Sequence, residues 1–160
     1  SYIKPHWPYM APAPYHNMFS SNQFYPVHRS ESEKESDHPV YKAFMENSIS
    51  KTFSKDEVRN TVLAGYMGLI KQIDDNLGRL FKFLEESKKI ENTMIVFTSD
   101  HGDYHGDHWL GEKELFHEQI VRVPIIIYDP SPEADKKRGY KLLMVFGASF
   151  VWLLTSGASP

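Results

Sequence analysis

The chain has 160 residues, 41% of them hydrophobic and 24% charged, the size and composition of one ordinary globular domain or a piece of one. Lys and Arg total 18 against 21 Asp and Glu, and a formal charge of -3 excludes the phosphate-coating kind of nucleic-acid binder. No Cys is present, so disulfides and thiol nucleophiles are excluded, and the longest near-continuous apolar run, Leu142 to Leu154, is 13 residues against about 20 for a membrane span.

The first 40 residues hold most of the prolines and half of the eight histidines, and they read as irregular structure. Tyr2 and Ile3 are expected to close a short strand. The stretch Pro5 to Tyr15 is rich in Trp and Tyr as well as Pro, which argues for an ordered loop packed on something rather than for disorder. Residues 29–38 read as a surface loop, because Ser30 to Asp37 contains only Ser, Glu, Lys and Asp.

A long helix follows. Ser54 and Glu57 have the Ser-x-x-Glu spacing of a capping box at its start. Apolar residues recur at Val58, Val62, Tyr66, Leu69, Ile70, Ile73, Leu77, Leu80, Phe81 and Leu84 with a 3.6-residue period. Gly65, Gly68 and Gly78 are costly in a helix interior, and close packing against a neighbouring element is the expected reason for each. The Lys- and Glu-rich stretch from Glu85 to Glu91 ends the helix.

Thr93 to Thr98 is a short, non-alternating apolar run, the pattern of a strand buried on both faces of a parallel sheet. A second such run, Val123 to Tyr128, stops at Asp129-Pro130. Strand, long helix and strand imply an α/β layer architecture with right-handed crossovers.

Between these runs lies the densest chemistry in the chain. His101, His105, His108 and His117 fall with Asp100, Asp103, Asp107, Glu112, Glu114 and Glu118 within 19 residues that directly follow a strand. In α/β sheets, ligands bind outside the carboxyl ends of strands. Asp100 and His101 on the turn leaving the strand offer carboxylate oxygen and imidazole nitrogen to one divalent cation, a set suited to Mn, Fe or Zn; an all-oxygen site favours Ca or Mg. The plain alternative is a solvated acidic loop.

Two metal patterns compete. Asp103-x-His105-x-Asp107-His108 is one residue away from the His-x-His-x-Asp-His signature of metallo-β-lactamase-like dinuclear hydrolases, which need a further His downstream, whereas His117 is the last histidine here. The other pattern is longer. Thr98-Ser99-Asp100-His101-Gly102-Asp103, Gly106-Asp107-His108, Gly111-Glu112-Lys113 and Arg122-Val123-Pro124-Ile125-Ile126-Ile127 occur in the order and spacing that resemble the C-terminal metal-binding segment of sulfatases in the alkaline phosphatase superfamily. Pro5-His6-Trp7-Pro8-Tyr9 with Ala11-Pro12-Ala13-Pro14-Tyr15 resembles a loop of the phosphonate monoester hydrolase and arylsulfatase branch. The helix around Tyr66, Asp74-Asp75 and Gly78-Arg79 is similar to the one joining the two segments. The resemblance runs from Ser1 to Arg138.

The resemblance implies the fold, a fragment of an alkaline phosphatase-like sandwich with a largely parallel sheet flanked by helices. It also implies the activity, metal-dependent hydrolysis of small-molecule sulfate, phosphate or phosphonate esters. Asp100 and His101 match the metal-ligand pair of the family, for one divalent ion with Mn, Ca, Mg, Fe and Zn all open. Lys113 matches a lysine on the oxygens of the transferring group, and His6 a histidine near the ester oxygen, placed to protonate the leaving group.

Trp7, Tyr9 and Tyr15 are expected to pack the proline-rich loop down, with lining of the substrate approach as the alternative. His105 and His108 are expected in surface or structural roles, and Glu114 and Glu118 exposed on a helical turn. The family nucleophile is a formylglycine made in a Cys/Ser-x-Pro-x-Arg stretch, which this sequence lacks. Residues 1–138 are accordingly expected to be the C-terminal part of a catalytic domain, inactive alone, and 139–160 a tail of unknown origin that is either a buried element or the product of a frameshift or misjoined exon. No nucleic-acid or membrane partner is expected, an oligomer is left open, and a non-catalytic fragment acting as a decoy is the remaining alternative.

Overall fold

The computed structural model describes residues 1–133 and the backbone of 142–145. α-Helical structure starts beyond the charged segment. Helix α1 (Pro39–Glu46) carries Pro at its first position, where the missing N–H has no partner to lose, and the His38 ring accepts from the Tyr41 N–H. Helix α2 (Ser48–Phe53) is capped by Asn47, whose Oδ1 accepts from the Ser50 N–H at 2.7 Å. Helix α3 (Asp56–Glu86) runs 31 residues and ends shortly before Lys88, which adopts a left-handed φ of 58°.

Three further elements carry strands. Strand β1 (Ile95–Thr98) is followed by a long loop, the short helix α4 (Glu118–Val121) and strand β2 (Ile125–Tyr128). Strand β3 (Leu142–Val145) then completes a sheet of order β1-β2-β3. Both pairings are antiparallel, with Ile95 opposite Tyr128 and Ile125 opposite Val145.

The sheet departs from the sequence expectation. The described strands form no parallel pair, and β1 is largely exposed, with Val96 at 55% and Met94 flanking it at 60%. A parallel return needs a crossover, usually a helix, whereas the segment between β1 and β2 holds only a three-residue 3-10 turn (Asp107–Trp109) and the four residues of α4, and otherwise folds back as loop. An apolar run announces a strand but carries no information about the direction of its neighbour. Tyr2 and Ile3 lie outside any strand. The apolar segment 142–145 pairs with β2, while the remainder of the expected tail, including Phe150 to Leu154, lies outside the described residues.

The expected capping box at Ser54 is also replaced. Ser54 closes α2, its hydroxyl donating to the Ser50 carbonyl at 2.8 Å, and α3 begins two residues later. The same Ser-x-x-Glu spacing at Ser30 and Glu33 is used instead: the Glu33 carboxylate accepts the Ser30 N–H at 3.0 Å and opens a 3-10 turn over Glu31–Glu35. The segment expected as a solvated surface loop is largely exposed and carries this short turn.

The chain divides into two compact units, one of Ser1–Asn76 with Asp103–Phe116 and one of Leu77–Gly102 with His117–Pro160. The first holds most of the buried residues: Phe53 on α2, Leu69 and Ile70 on α3, and Tyr104 and Leu110 from the loop. In the second, Ile120 of α4 is buried. Among the described residues, no helix is long and apolar enough to cross a membrane.

Candidate active site

Two glycines on α3 seat the proline-rich loop. A Cβ on Gly65 would strike the Tyr9 carbonyl, and one on Gly68 would strike the Tyr15 carbonyl and Ala11, so only hydrogen allows that approach. Among the described residues nothing lies within 4 Å of a Cβ at Gly78, and none of them supplies the packing reason expected for it. Tyr9 donates to Asp103 Oδ2 at 2.6 Å and Tyr15 to Asp75 Oδ2 at 2.9 Å, so both tyrosines fasten the loop. Burial, followed by the charge of Asp103, pushes the Tyr9 phenol far above its ordinary value and keeps it a donor. Trp7, by contrast, is 56% exposed.

The fastened loop presents His6. Lys4 Nζ donates to the carbonyls of His6 (3.1 Å) and Pro8 (2.8 Å). His6 Nδ1 lies 2.9 Å from the Trp7 carbonyl, which can only accept, so the proton sits on Nδ1 and the lone pair on Nε2. That Nε2 lies 3.5 Å from Lys113 Nζ. The two residues matched to the ester-facing roles thus meet, with a histidine acceptor turned toward an ammonium donor.

Lys113 follows a loop of unusual backbone. His105, His108, Trp109 and Glu112 have positive φ values between 45° and 61°, and Gly106 has 95°. Left-handed geometry costs a side-chain-bearing residue about 1–2 kcal/mol, so surrounding contacts must hold this run. Backbone bonds close it, from Gly106 N to Leu110 O and from Tyr104 N to Glu112 O, both at 2.9 Å. Gly111 packs against Ile49 and Phe53, and its N–H donates to the buried Ser50 hydroxyl at 3.1 Å.

The histidines of this loop face separate partners. His105 is buried against the rings of Tyr9, Phe53 and Tyr66, with Tyr66 at 4.4 Å between centroids. Its Nε2 has no hydrogen-bond partner among the described residues and lies 3.6 Å from Asp103 Oδ2. Burial holds the imidazole below its ordinary pKa, against opposing pulls from Asp103 and Asp107. His108 Nδ1 pairs with Glu33 Oε1 at 2.7 Å, and Asp107 Oδ1 accepts the His28 N–H at 2.9 Å. Asp103, His105, Asp107 and His108 therefore do not form the dinuclear cluster of the metallo-β-lactamase pattern. Among the described residues no three His, Cys, Asp or Glu stand together as a metal cage. Glu114 and Glu118 are exposed.

Asp100 and His101 belong to the second unit. His101 Nδ1 lies 2.7 Å from the Gly102 carbonyl, which places its proton there and leaves the Nε2 lone pair 3.3 Å from Asp100 Oδ2. Two electron-pair donors turned to one spot fit a divalent cation as part of its ligand set. Asp100 is the more open of the two, with a side chain 84% exposed against 32% for His101. Slight burial raises the Asp100 pKa, but the charge His101 carries when protonated in the absence of a cation, the backbone N–H groups of both residues and the Ser99 hydroxyl outweigh it, so the carboxyl lies below its ordinary value. The turn is set by Gly102, where a Cβ would collide with the Gln119 backbone and whose N–H donates to the Ile120 carbonyl at 2.8 Å.

Sequence reasoning missed Glu33, Ser50 and the buried state of His105. The only available signal was the Ser30-x-x-Glu33 spacing.

Comparison with known proteins places this geometry. The sequence model of the Sulfatase family matches residues 1–152, reaching past Arg138. The chain is 35% identical over 141 residues to the multifunctional alkaline phosphatase superfamily protein PehA of Trinickia caryophylli, covering 80% of this chain and 27% of that protein. It is 33% identical over 140 residues to an arylsulfatase of Clostridium perfringens, covering 87% and 28%. Two solved phosphonate monoester hydrolases share the fold at 30% identity, each over 81% of this chain and 28% of the other. The one from Silicibacter pomeroyi has a TM-score of 0.73 and the one from Agrobacterium radiobacter 0.74. The chain thus spans just over a quarter of the length of these relatives, and over that span it belongs to the sulfatase family.

Proposed function

We propose that this chain carries part of a metal-dependent centre that hydrolyses sulfate, phosphate or phosphonate esters. The observation that carries the reading is the approach of His6 Nε2 to Lys113 Nζ at 3.5 Å from loops 107 positions apart, in a chain of this family.

Asp100 Oδ2 and His101 Nε2 are the atoms that would hold the divalent ion, joined by ligands from outside the described residues. Such an ion supplies Lewis-acid polarisation of the ester oxygens. The remaining work falls to this chain's own groups. Lys113 donates from its ammonium to the non-bridging oxygens, where negative charge grows in the transition state. His6, oriented by its Nδ1–H on the Trp7 carbonyl, exposes Nε2 as the atom that carries a proton to the departing oxygen.

The nucleophile lies outside these 160 residues in this reading, supported by the lack of a Cys/Ser-x-Pro-x-Arg stretch and by the share of the relatives that the chain spans. The test compares the 160-residue chain with the same protein extended at its N-terminus, both assayed on an aryl sulfate, an aryl phosphate and a phosphonate monoester with and without a chelator. Chelator-sensitive hydrolysis by the extended protein alone is expected. Turnover by the 160 residues would refute the missing nucleophile. Inertness of the extended protein toward all three ester classes would refute the hydrolase reading in favour of a non-catalytic role.

A further inference from the structure

The segment from His28 to Lys34 lies across the loop that leads to Lys113, and the contacts between them are dense. The His28 N–H donates to Asp107 Oδ1 (2.9 Å) and the His108 N–H to the His28 carbonyl (2.8 Å). Glu33 uses one carboxylate oxygen to cap Ser30 and the other to bind His108 Nδ1 at 2.7 Å. Trp109 donates from Nε1 to the Ser30 carbonyl at 2.7 Å. Its ring has the Arg29 guanidinium at 4.1 Å and the Lys34 ammonium at 3.5 Å from the centroid. Tyr41 adds a bond to the His108 carbonyl at 2.8 Å, and burial is the main cause that pushes its phenol up to about 12, keeping it protonated.

Four left-handed residues, from His105 to Glu112, lie within this loop, and a strained backbone persists only where its surroundings over-determine it. Backbone bonds within the loop, Arg59 on the His105 carbonyl and Ser50 on Gly111 hold its two ends, and the His28–Lys34 segment, a strap across it, holds Asp107, His108 and Trp109. The path from strap to cation is short: Trp109, the buried Leu110, Gly111 tied to Ser50, Glu112 tied to Tyr104, then Lys113. We propose that Trp109, gripped by Arg29, Ser30 and Lys34, is a positioning residue that acts through this loop to hold the Lys113 ammonium opposite His6. The inference rests on the reading above of Lys113 and His6 as the anion-facing pair. It assigns a task to residues that touch neither substrate nor metal.

A double-mutant cycle in the N-terminally extended protein tests it. Trp109→Ala, Lys113→Ala and the double variant are compared by kcat and KM on a phosphonate monoester, and by calorimetric affinity for inorganic sulfate. Misplacing a catalytic cation by about 1 Å costs on the order of 10²-fold, and Trp109→Ala is expected to lower kcat by up to that factor. In the Lys113→Ala background the same substitution should cost little more, because a residue acting through Lys113 has nothing left to position. Trp109→Phe keeps an aromatic ring for the two cations and loses the Nε1–H bond, so it should recover most of the loss. If Trp109→Ala fails to fold, Lys34→Ala, at an exposed side chain, and Glu33→Gln, at the part-buried carboxylate on His108, take its place in the cycle.

Losses that add independently of Lys113 would overturn the inference, as would unchanged kcat and sulfate affinity in folded variants. Coupling seen in sulfate affinity without any turnover by the parent would uphold the positioning role and sink the hydrolase reading alone. A parent that neither binds sulfate nor turns over would sink both.

Discussion

Nε2 of His6 and Nζ of Lys113 lie 3.5 Å apart with the histidine lone pair facing the ammonium, and the Trp7 carbonyl on the other side of the ring fixes which nitrogen faces which. This arrangement separates the duties of the two residues by experiment. Lys113→Ala in the extended protein should lower turnover by a factor on the order of 10² to 10³, as for loss of one oxyanion donor, whatever the leaving group. His6→Ala should cost on the order of 10² to 10⁴ with a poor leaving group and far less with a strongly acidic phenol, which departs without a proton. Steady-state rates on a series of aryl esters check both. Equal sensitivity of His6→Ala to every leaving group would remove its role as acid.

For the metal pair, Asp100→Ala should abolish chelator-sensitive activity and lower bound metal from one ion per chain, since a charged ligand is lost. His108→Ala should leave metal content unchanged, because its ring is engaged with Glu33. Elemental analysis of the purified variants decides. Loss of two ions together on His108→Ala would restore the dinuclear reading.

His105 should make the fold acid-sensitive. Burial lowers its pKa in the folded chain, so below about pH 6.5 the unfolded chain takes up a proton that the folded chain resists. The sign follows: stability is full above that value and falls as the pH drops below it, down to the folded pKa. Thermal midpoints between about pH 8 and 5 should fall in the wild type and fall less steeply in His105→Asn, which does not titrate and tolerates the left-handed backbone. Parallel curves would show that another group is responsible.

Three glycines should behave differently although all sit in or beside regular elements. Gly78→Ala meets nothing within 4 Å and should stabilise by about 0.5–1 kcal/mol through helix propensity. Gly65→Ala should destabilise by forcing the Tyr9 carbonyl off α3, with the His6 loop displaced along with it. Gly102→Ala should displace the Asp100-His101 turn and lower metal affinity, since its Cβ meets the Gln119 backbone. Denaturation midpoints for all three, with metal titration for the last, give the comparison. A Gly78→Ala variant less stable than wild type would contradict the open space around that position.

What the amino-acid sequence by itself determined lies where the signal is local. The 3.6-residue period of Val62, Tyr66, Leu69, Ile70 and Ile73 marks α3, because helical hydrogen bonds join residues four apart and one face must be buried. The order of Asp100-His101-Gly102, Gly111-Glu112-Lys113 and the His6 loop marks the family, because short motifs in a fixed order are legible along the chain without any knowledge of its folding. Tertiary structure decided what depends on residues far apart. Antiparallel pairing of β1 with β2 followed from the way the chain returns, which an apolar run cannot encode. The Ser-x-x-Glu pairs at Ser30 and Ser54 are equivalent in spacing, and of these two the one whose glutamate also binds His108, 75 positions away, became a cap. Gly65 and Gly78 share one helix and one propensity, but only the first has the proline-rich loop laid against it. His105 and His108 share a composition and a backbone twist, and packing alone set one among aromatic rings and the other against a carboxylate. Periodicity is a property of neighbours in sequence; burial and hydrogen-bond choice belong to neighbours in space, and these appear only when the chain has folded.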